Sequence, residues 1–530
     1  MPPQDFAAFL TKHTDRIEPI SREYHLAYWR ATVTGLPQEY EKLAELQLKY
    51  QKVYANPDDF AQLRDWRDGD AVSDDIERRA LDVLYRSYLA HQVDHSLLER
   101  MTKLDSEIVQ RFNVYRVEID GTTLTSNEVR SVLRESSDSE YRRAVWEADK
   151  RVAREVKGPL LELIRLRNET AQTLGFDNYY LMSLELAEQS QTDLFALFDT
   201  LASVTDEPFR ELKRNMDDLV ARRCGITPEE LRPWHYDDPF FQEAPRTHSV
   251  DFDRFYVGRD VVALVASFFD GIGLQVGDII ERSDLYEKPG KDQHAYCMDI
   301  DRKGDVRVLA NVRDDENWAG TMLHELGHGV YDLHISPDLP FVLREHAHVF
   351  ATEAIAMLLG RLSKDAHWIQ SMTRIDNSER DEISAAAREQ QRASQLVFAR
   401  WCQVMVRFER MLYEDPERDL SAAWWELVQR YQLITPSEGR DAPDWAAKIH
   451  IVSAPVYYHN YMLGELLASQ FDHYIREHVT GGPLTGQREV GTWLREKVFA
   501  VGSKFRWDEM IRRAMDEPLN PEYYVSDFVR

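Results

Sequence analysis

Residues 321–330 read Thr-Met-Leu-His-Glu-Leu-Gly-His-Gly-Val, and this stretch decides how the rest of the sequence is interpreted. His324 and His328 are four residues apart, a spacing that places two imidazoles on one face of a helix. Glu325 is turned from His324 by about 100°, so it can flank that face without being a ligand. The stretch predicts a helix that binds zinc through His324 and His328, with Glu325 placed to take a proton from an attacking water.

A third protein ligand must come from outside this stretch. The downstream candidates are His334, Glu345, His346, His348 and Glu353. His334 has the offset of the third histidine in the extended metzincin motif, but Tyr331 stands where that motif has a glycine at a sharp turn. Glu353 begins a helical run, and the segment 339–345 before it can bring a second helix alongside the first. A carboxylate from a neighbouring helix completes a two-histidine, one-glutamate site, so we predict Glu353 as the third ligand.

The rest of the chain predicts a mainly α fold. Apolar residues recur at helical intervals through 17–54, 76–112, 141–174, 194–219 and 383–413. Asp74 precedes the second pattern as a helix cap, and that pattern predicts one long helix. Gly (23) and Pro (21) are sparse in 530 residues, and no low-complexity linker separates the patterns. We therefore expect a single domain over 1–530.

Two β-prone runs interrupt the helical pattern just before the histidines. Residues 296–300 and 306–312 are joined by Asp-Arg-Lys-Gly-Asp, which is typical of a hairpin connection. Gly121 and two threonines after a charged helix indicate a weaker boundary near residue 120. The sequence predicts a small β-hairpin beside the metal-binding helix.

The charge balance excludes several classes of partner. The chain has 65 Lys and Arg against 92 Asp and Glu, a formal net charge of −27. Nucleic acids and anionic membranes attract clustered positive charge, so we expect neither as a partner. No run of about 18 apolar residues occurs, and the first residues lack a basic region before an apolar core. With three widely spaced cysteines, these features predict a cytoplasmic protein.

Together these segments resemble the angiotensin-converting-enzyme-like peptidyl-dipeptidases, gluzincin metallopeptidases, and more distantly thimet oligopeptidase and oligoendopeptidase F. The resemblance is carried by His-Glu-Leu-Gly-His at 324–328, by 339–345, and by Glu-Ala-Ile at 353–355, with one residue inserted before the glutamate. It implies zinc as cofactor and short peptides as substrates. It also implies that His294 and Ala295 begin an edge strand that runs beside the bound peptide and hydrogen-bonds to its main chain.

A second block near the C-terminus carries the same resemblance. Residues 448–465 read Lys-Ile-His-Ile-Val-Ser-Ala-Pro-Val-Tyr-Tyr-His-Asn-Tyr-Met-Leu-Gly-Glu, and Tyr458 and Tyr461 keep the family's spacing. The resemblance implies that His450 and Tyr461 hydrogen-bond the oxyanion of the tetrahedral intermediate. It implies that Lys448 and Tyr458 hold the substrate's C-terminal carboxylate, which fixes a register of two residues. One residue is inserted after His450, so Tyr457 could exchange roles with Tyr458.

Two positions depart from the family pattern. The family has an aspartate four residues after the glutamate ligand, where it accepts a hydrogen bond from a zinc histidine, and Met357 stands there. Another acceptor must therefore orient the imidazole. Asn460 stands where chloride-activated members have an arginine between the paired tyrosines, so chloride dependence is not assumed.

The sequence therefore predicts a mainly α, two-lobed zincin with a deep central cleft. Residues 1–120 are expected to form a helical lid region, and 290–470 the catalytic core. The predicted activity is that of a zinc metallopeptidase that releases C-terminal dipeptides from short peptides. Two alternatives stay open: an oligoendopeptidase with the same chemistry that cleaves internally, and an inactive helical scaffold with a degenerate zinc site.

Overall fold

The computed structural model describes residues 5–69, 71–245 and 250–530. Helices make up 69% of the chain, and the strands of the described residues form two small antiparallel sheets. The predicted mainly α fold is confirmed. The chain divides into two compact units: unit 1 comprises Met1–Gln92, Val250–Ala387 and Leu463–Tyr523, and unit 2 comprises Val93–Ser249, Arg388–Met462 and Tyr524–Arg530. In the described ranges, no helix has both the length and the apolar character needed to cross a membrane.

The two units alternate along the chain. The first part of unit 1 contains α1 (Phe6–Thr34), α2 (Pro37–Tyr54), α3 (Pro57–Asp68) and α4 (Asp75–Leu89). The first part of unit 2 contains α5 (His95–Val114), β1 (Val117–Ile119), β2 (Thr122–Leu124), α6 (Ser126–Glu135), α7 (Ser139–Asp149), α8 (Val152–Thr173), α9 (Tyr179–Leu186), α10 (Gln191–Val204) and α11 (Asp206–Cys224).

The next part of unit 1 contains α12 (Val261–Gly271), α13 (Gly277–Arg282), β3 (Tyr296–Asp299), β4 (Val306–Leu309), α14 (Glu316–Leu333), α15 (Val349–Gly360) and α16 (Ala366–Thr373). The remaining helices are α17 (Asn377–Glu414), α18 (Leu420–Leu427), α19 (His450–Ser453), α20 (Tyr458–Tyr474), α21 (Arg488–Leu494), α22 (Trp507–Met515) and α23 (Glu522–Phe528).

Several long apolar patterns are divided into two helices. The pattern 17–54 breaks at Gly35, whose φ of 67° is left-handed, and Pro37 then begins α2. Asp74 caps α4 as predicted, by accepting two backbone N–H groups. The prediction of one long helix through 76–112 is wrong, because Asp94 accepts the N–H groups of the next turn and begins α5. Hydrophobic periodicity continues across such breaks, whereas a capping residue marks where a new helix begins.

The hairpin predicted at 296–312 is present in a shorter form. β3 pairs antiparallel with β4, with Cys297 opposite Val308. In the connection, the side chain of Asp299 accepts two backbone N–H groups, and Gly304 adopts a φ of 106°. The sequence does not predict the second hairpin, β1–β2, because its strands have three residues each and show no periodic pattern. It lies at the boundary indicated near residue 120.

Helices α14 and α15 form the contact that positions the site. α14 begins after Asp315, whose carboxylate accepts the N–H of Trp318, and α15 begins after His348, whose ring caps it. A Cβ added to Gly327 would lie 3.1 Å from the Cα of Ala356. Because glycine has no side chain, the two helix backbones can approach this closely. The faces of the two helices that carry the predicted ligands are therefore held against each other.

Candidate metal centre

Three side chains of unit 1 converge where α14 meets α15. The Nε2 atoms of His324 and His328 lie 3.2 Å apart, and Nε2 of His324 lies 3.8 Å from Oε2 of Glu353. Zinc bonds of about 2.0–2.1 Å in a tetrahedral site would place two imidazole nitrogens roughly 3.3 Å apart. All three ligand atoms lie within 4.8 Å of one another, and no other group of His, Cys, Asp and Glu in the described part of the chain does so. Two imidazoles and one carboxylate fit zinc.

The other four candidates for the third ligand have different partners. His334 Nδ1 bonds to the carbonyl of Val330, His346 faces Asp332 at 3.4 Å, His348 caps α15, and Glu345 pairs with Arg302. Glu353 alone among the five joins the two histidines. The geometry therefore favours the predicted set, whose role in binding metal stays a prediction.

The surroundings of both histidines favour the neutral form of the imidazole ring. Burial lowers the pKa of His324 to about 4 and the pKa of His328 well below its ordinary value. Neutral imidazole is the form that binds metal. At neutral pH the protein therefore presents both rings without the cost of removing a proton.

Glu325 is buried beside the ligands without being one of them. Burial, and then the nearby carboxylate of Glu353, raise the pKa of Glu325 to about 8, while a hydrogen bond from the N–H of Cys297 acts in the opposite direction. A bound divalent cation would oppose this rise by favouring the carboxylate. The side chain can thus hold or release a proton next to the ligand face.

The hydrogen-bond partner of His328 that the sequence did not identify is Thr352. Nδ1 of His328 lies 2.7 Å from Oγ1 of Thr352, and Thr352 immediately precedes Glu353 in α15. Met357 instead packs near Gly464, where an added Cβ would lie 3.1 Å from its sulfur. A hydroxyl one residue before the ligand is a weak sequence signal, because only the helix crossing shows which way it points.

A pocket of about 340 Å³ opens beside His324 and Glu325. Its wall includes two ion pairs, Lys364 with Glu316 at 3.2 Å and Arg361 with Glu465. Positive and negative groups thus balance each other next to the ligands. The pocket leaves space next to the three converging side chains.

The predicted peptide-binding strand lies next to the same helix. Ala295 directly precedes β3, and the exposed His294 is held by its N–H, which bonds to Asp292 at 3.0 Å. One link between this strand and α14 is the hydrogen bond from the N–H of Cys297 to Glu325. Binding of peptide by His294 and Ala295 stays a prediction.

The remaining predicted residues lie in unit 2 and form a cluster around Lys448. This side chain is 6% exposed, and its Nζ donates to Oε1 of Gln242 at 2.7 Å. Burial lowers the pKa of Lys448 to about 7. An incoming carboxylate would raise that pKa again, because an opposite charge favours the ammonium form. Sequence patterns did not indicate Gln242, since it is far from Lys448 in the chain and belongs to no motif.

The tyrosine beside Lys448 is Tyr458. Its ring centroid lies 5.5 Å from Nζ of Lys448, and its hydroxyl accepts a hydrogen bond from the indole of Trp401 at 2.7 Å. The ring of His450 lies 5.3 Å from that of Tyr458, and the ring of Tyr461 lies 5.4 Å from it. Of the two tyrosines that the sequence left open, the structure places Tyr458 in the lysine cluster.

Two family models match different parts of the chain. Residues 279–529 match the family model "Peptidase family M3", and residues 3–212 match "Angiotensin-converting enzyme". The chain is 22% identical over 330 residues to an angiotensin-converting enzyme of Theromyzon tessulatum, which covers 57% of this chain and 53% of that protein. It therefore spans about half the length of that relative.

Two further relatives are similar over more of the chain. An angiotensin-converting enzyme of Haematobia irritans exigua is 22% identical over 426 residues, 72% of this chain and 69% of that protein. A mitochondrial intermediate peptidase of Arabidopsis thaliana is 22% identical over 453 residues, 73% of this chain and 61% of that protein.

Proposed function

We propose that this chain, which is similar to the angiotensin-converting enzymes and to peptidase family M3, is a zinc metallopeptidase that hydrolyses short peptides. The relationship confirms the resemblance seen in the sequence. The observation that carries the proposal is the convergence of His324, His328 and Glu353 with Glu325 beside them. Zinc, when bound, supplies a Lewis acid that polarises the scissile carbonyl.

In unit 1, different residues would bind the metal ion and transfer the proton. His324, His328 and Glu353 would hold the ion. Glu325 would accept a proton from the attacking water and deliver it to the leaving amine, as one group can do in both halves of a hydrolysis. Its position supports this role, because the buried carboxylate lies beside the three converging side chains and is not one of them.

We assign stabilisation of the developing oxyanion to His450 and Tyr461, as the resemblance implies. Hydrogen bonds that strengthen as negative charge develops lower the barrier without tightening substrate binding. Burial, and then Lys448, lower the pKa of His450 to about 4, so a neutral ring would be the donor. Because the Tyr461 hydroxyl would act only as negative charge develops, Tyr461→Phe should lower kcat more than it changes KM.

We propose release of C-terminal dipeptides in preference to internal cleavage. What supports this product is the Lys448 cluster, in which Gln242 and Tyr458 surround a buried amino group. A terminal carboxylate bound there would gain a charge-assisted hydrogen bond that an internal peptide group lacks. The alternative, an oligoendopeptidase, requires no such carboxylate.

One experiment separates the dipeptidase, the oligoendopeptidase and the inactive scaffold. The purified full-length protein is analysed for zinc and incubated with a short peptide in free and C-terminally amidated forms, and the products are identified by mass spectrometry. We expect one zinc per chain and a terminal dipeptide from the free peptide, with much slower cleavage of the amide. Equal internal cleavage of both forms indicates an oligoendopeptidase. A protein that binds no zinc and leaves both peptides intact is the inactive scaffold.

The cellular compartment stays part of the proposal. Cys224, Cys297 and Cys402 are few and widely spaced in the sequence. This pattern supports the inference of a reducing, cytoplasmic environment, because it does not resemble a disulfide framework. Three thiols that can be titrated after purification without reductant would agree with that inference, whereas a disulfide formed in the cell would contradict it.

A further inference from the structure

We infer that Thr352 is a positioning residue for the metal centre: its hydroxyl orients His328 and replaces the carboxylate expected at position 357. The inference deepens the proposed function and rests on it. Thr352 binds no metal in this assignment and touches no substrate. It acts through the imidazole of His328.

The ring of His328 points in a direction that gives its two nitrogens different partners. Its Nε2 faces Nε2 of His324 at 3.2 Å, in the group completed by Glu353. Its Nδ1 therefore points away from the ligand group, and Oγ1 of Thr352 lies 2.7 Å from it. With a cation at Nε2, the proton of the neutral ring must be on Nδ1. Nδ1–H then donates to Thr352, which fixes both the tautomer and the plane of the ring.

The hydroxyl of Thr352 departs from the usual behaviour of threonine in helices. A helical threonine commonly bonds its hydroxyl to the carbonyl four residues earlier. Thr321 and Thr373 do this in unit 1, at 2.8 Å to Asn317 and 2.6 Å to Ile369. The hydroxyl of Thr352 instead meets His328. Thr352 is 3% exposed, so this hydroxyl is held in the protein interior, away from bulk water.

The position of Thr352 in the chain links it to the ligand set. It directly precedes Glu353, so one turn of α15 supplies a ligand and also the group that orients another ligand. A β-branched side chain has few rotamers in a helix, which keeps Oγ1 in place. Met357 cannot do the same, because a thioether is only a weak acceptor, and its sulfur lies beside Gly464.

The test uses the full-length protein and measures zinc affinity by competition with a chromogenic chelator. Thr352→Val removes the hydroxyl and nearly keeps the shape, and should weaken zinc binding about 10–100-fold. Thr352→Ser restores a hydroxyl and should lie within about threefold of the unmodified protein. Thr373→Val makes the same change at a threonine of similar burial, 5% exposed, and should bind zinc normally.

A second readout separates positioning from packing. The melting temperature of the zinc-free protein should be the same for Thr352→Val and Thr373→Val. In the zinc-loaded protein, the Nδ1–H proton of His328 should give a slowly exchanging NMR signal that Thr352→Val loses and Thr352→Ser keeps. Should Thr352→Val not fold, Thr352→Ala serves in its place.

The zinc affinities separate a failure of the positioning role of Thr352 from a failure of the metallopeptidase proposal. Normal zinc affinity in Thr352→Val, or equally weak binding in the Val and Ser variants, overturns the positioning role while leaving the metallopeptidase proposal intact. Absence of zinc binding in the unmodified protein overturns both. Weak binding in Thr352→Val with recovery in Thr352→Ser supports the inference.

Discussion

The Nε2 atoms of His324 and His328 lie 3.2 Å apart, close to the separation of roughly 3.3 Å that tetrahedral zinc imposes on two imidazole ligands. The two residues are one helical turn apart, so this half of the site is formed within α14. Glu353 comes from α15, and its distance of 3.8 Å from His324 depends on the contact between the two helices. The site thus combines two side chains from one turn of α14 with a third side chain from the neighbouring helix α15.

Glu325→Gln should abolish turnover while keeping the metal. The amide has nearly the same volume but cannot take a proton from water, and loss of a general base costs about 10²–10⁴-fold in kcat. The measurements are kcat on a quenched fluorescent peptide and zinc content by elemental analysis. Activity near that of the unmodified enzyme would refute the assigned base.

Glu353→Gln should weaken zinc binding by at least about tenfold, because a neutral amide oxygen is a poorer ligand than a carboxylate. The matched control is Glu345→Gln, whose carboxylate pairs with Arg302 and lies outside the ligand group. Zinc affinity is compared by chelator competition. If Glu353→Gln keeps its zinc, the third ligand is another residue, and His334 and His348 are the next to test.

Lys448→Met should remove the preference for a free C-terminus. A charge-assisted hydrogen bond contributes about 1.5–3 kcal/mol, which corresponds to roughly 10–150-fold in kcat/KM between free and amidated peptides. Lys213→Met is the control, since Lys213 is also buried but its Nζ pairs with Oδ2 of Asp217 at 2.7 Å, outside the Lys448 cluster. That variant should keep the preference. A Lys448→Met enzyme that still discriminates would exclude the clamp.

Glu409→Gln should change how stability depends on pH. Glu409 is 3% exposed and accepts the N–H of Val456 at 2.6 Å. Burial raises the pKa of Glu409 from 4.5 to about 8, while Val456 and then Arg167 act in the opposite direction. The folded protein therefore holds this proton more tightly than the unfolded chain. Its contribution to stability is complete below pH 4.5 and is lost as the pH rises through about 8.

The glutamine variant lacks this proton and should not show that loss. Between about pH 5 and 8, the free energy of unfolding of the unmodified protein should fall relative to Glu409→Gln, by up to about 1.4 kcal/mol per pH unit. Denaturant titrations at several pH values measure the difference. Parallel curves for the two proteins would show that the carboxyl group of Glu409 does not titrate in this range.

Local patterns predicted the parts of the site that lie close together in the chain. The i, i+4 spacing of His324 and His328 and the caps at Asp74 and Asp94 depend on helix geometry alone. The apolar pattern through 76–112 hides the cap at Asp94, so it predicts one helix where two exist. Periodicity reports which face of a segment is apolar, and two consecutive helices can share that property across a short break.

Long-range parts of the site had to be chosen from several candidates. Five residues were candidates for the third ligand, and two tyrosines for the place beside Lys448. Gln242 and Thr352 carry no recognisable motif, so neither was proposed. Each becomes visible only through a partner that lies far away in sequence, Lys448 for Gln242 and His328 for Thr352.

The sequence by itself determined the mainly α character, the hairpin before α14, the resemblance to two peptidase families, and the pair of histidines with Glu325 between them. These features follow from spacing within single segments. The tertiary structure decided that Glu353 joins the histidines and that Thr352 meets His328. Both depend on the close approach of α14 to α15 at Gly327, where any larger residue would meet the backbone of Ala356. Such a helix crossing is set by packing between segments, which no single segment encodes.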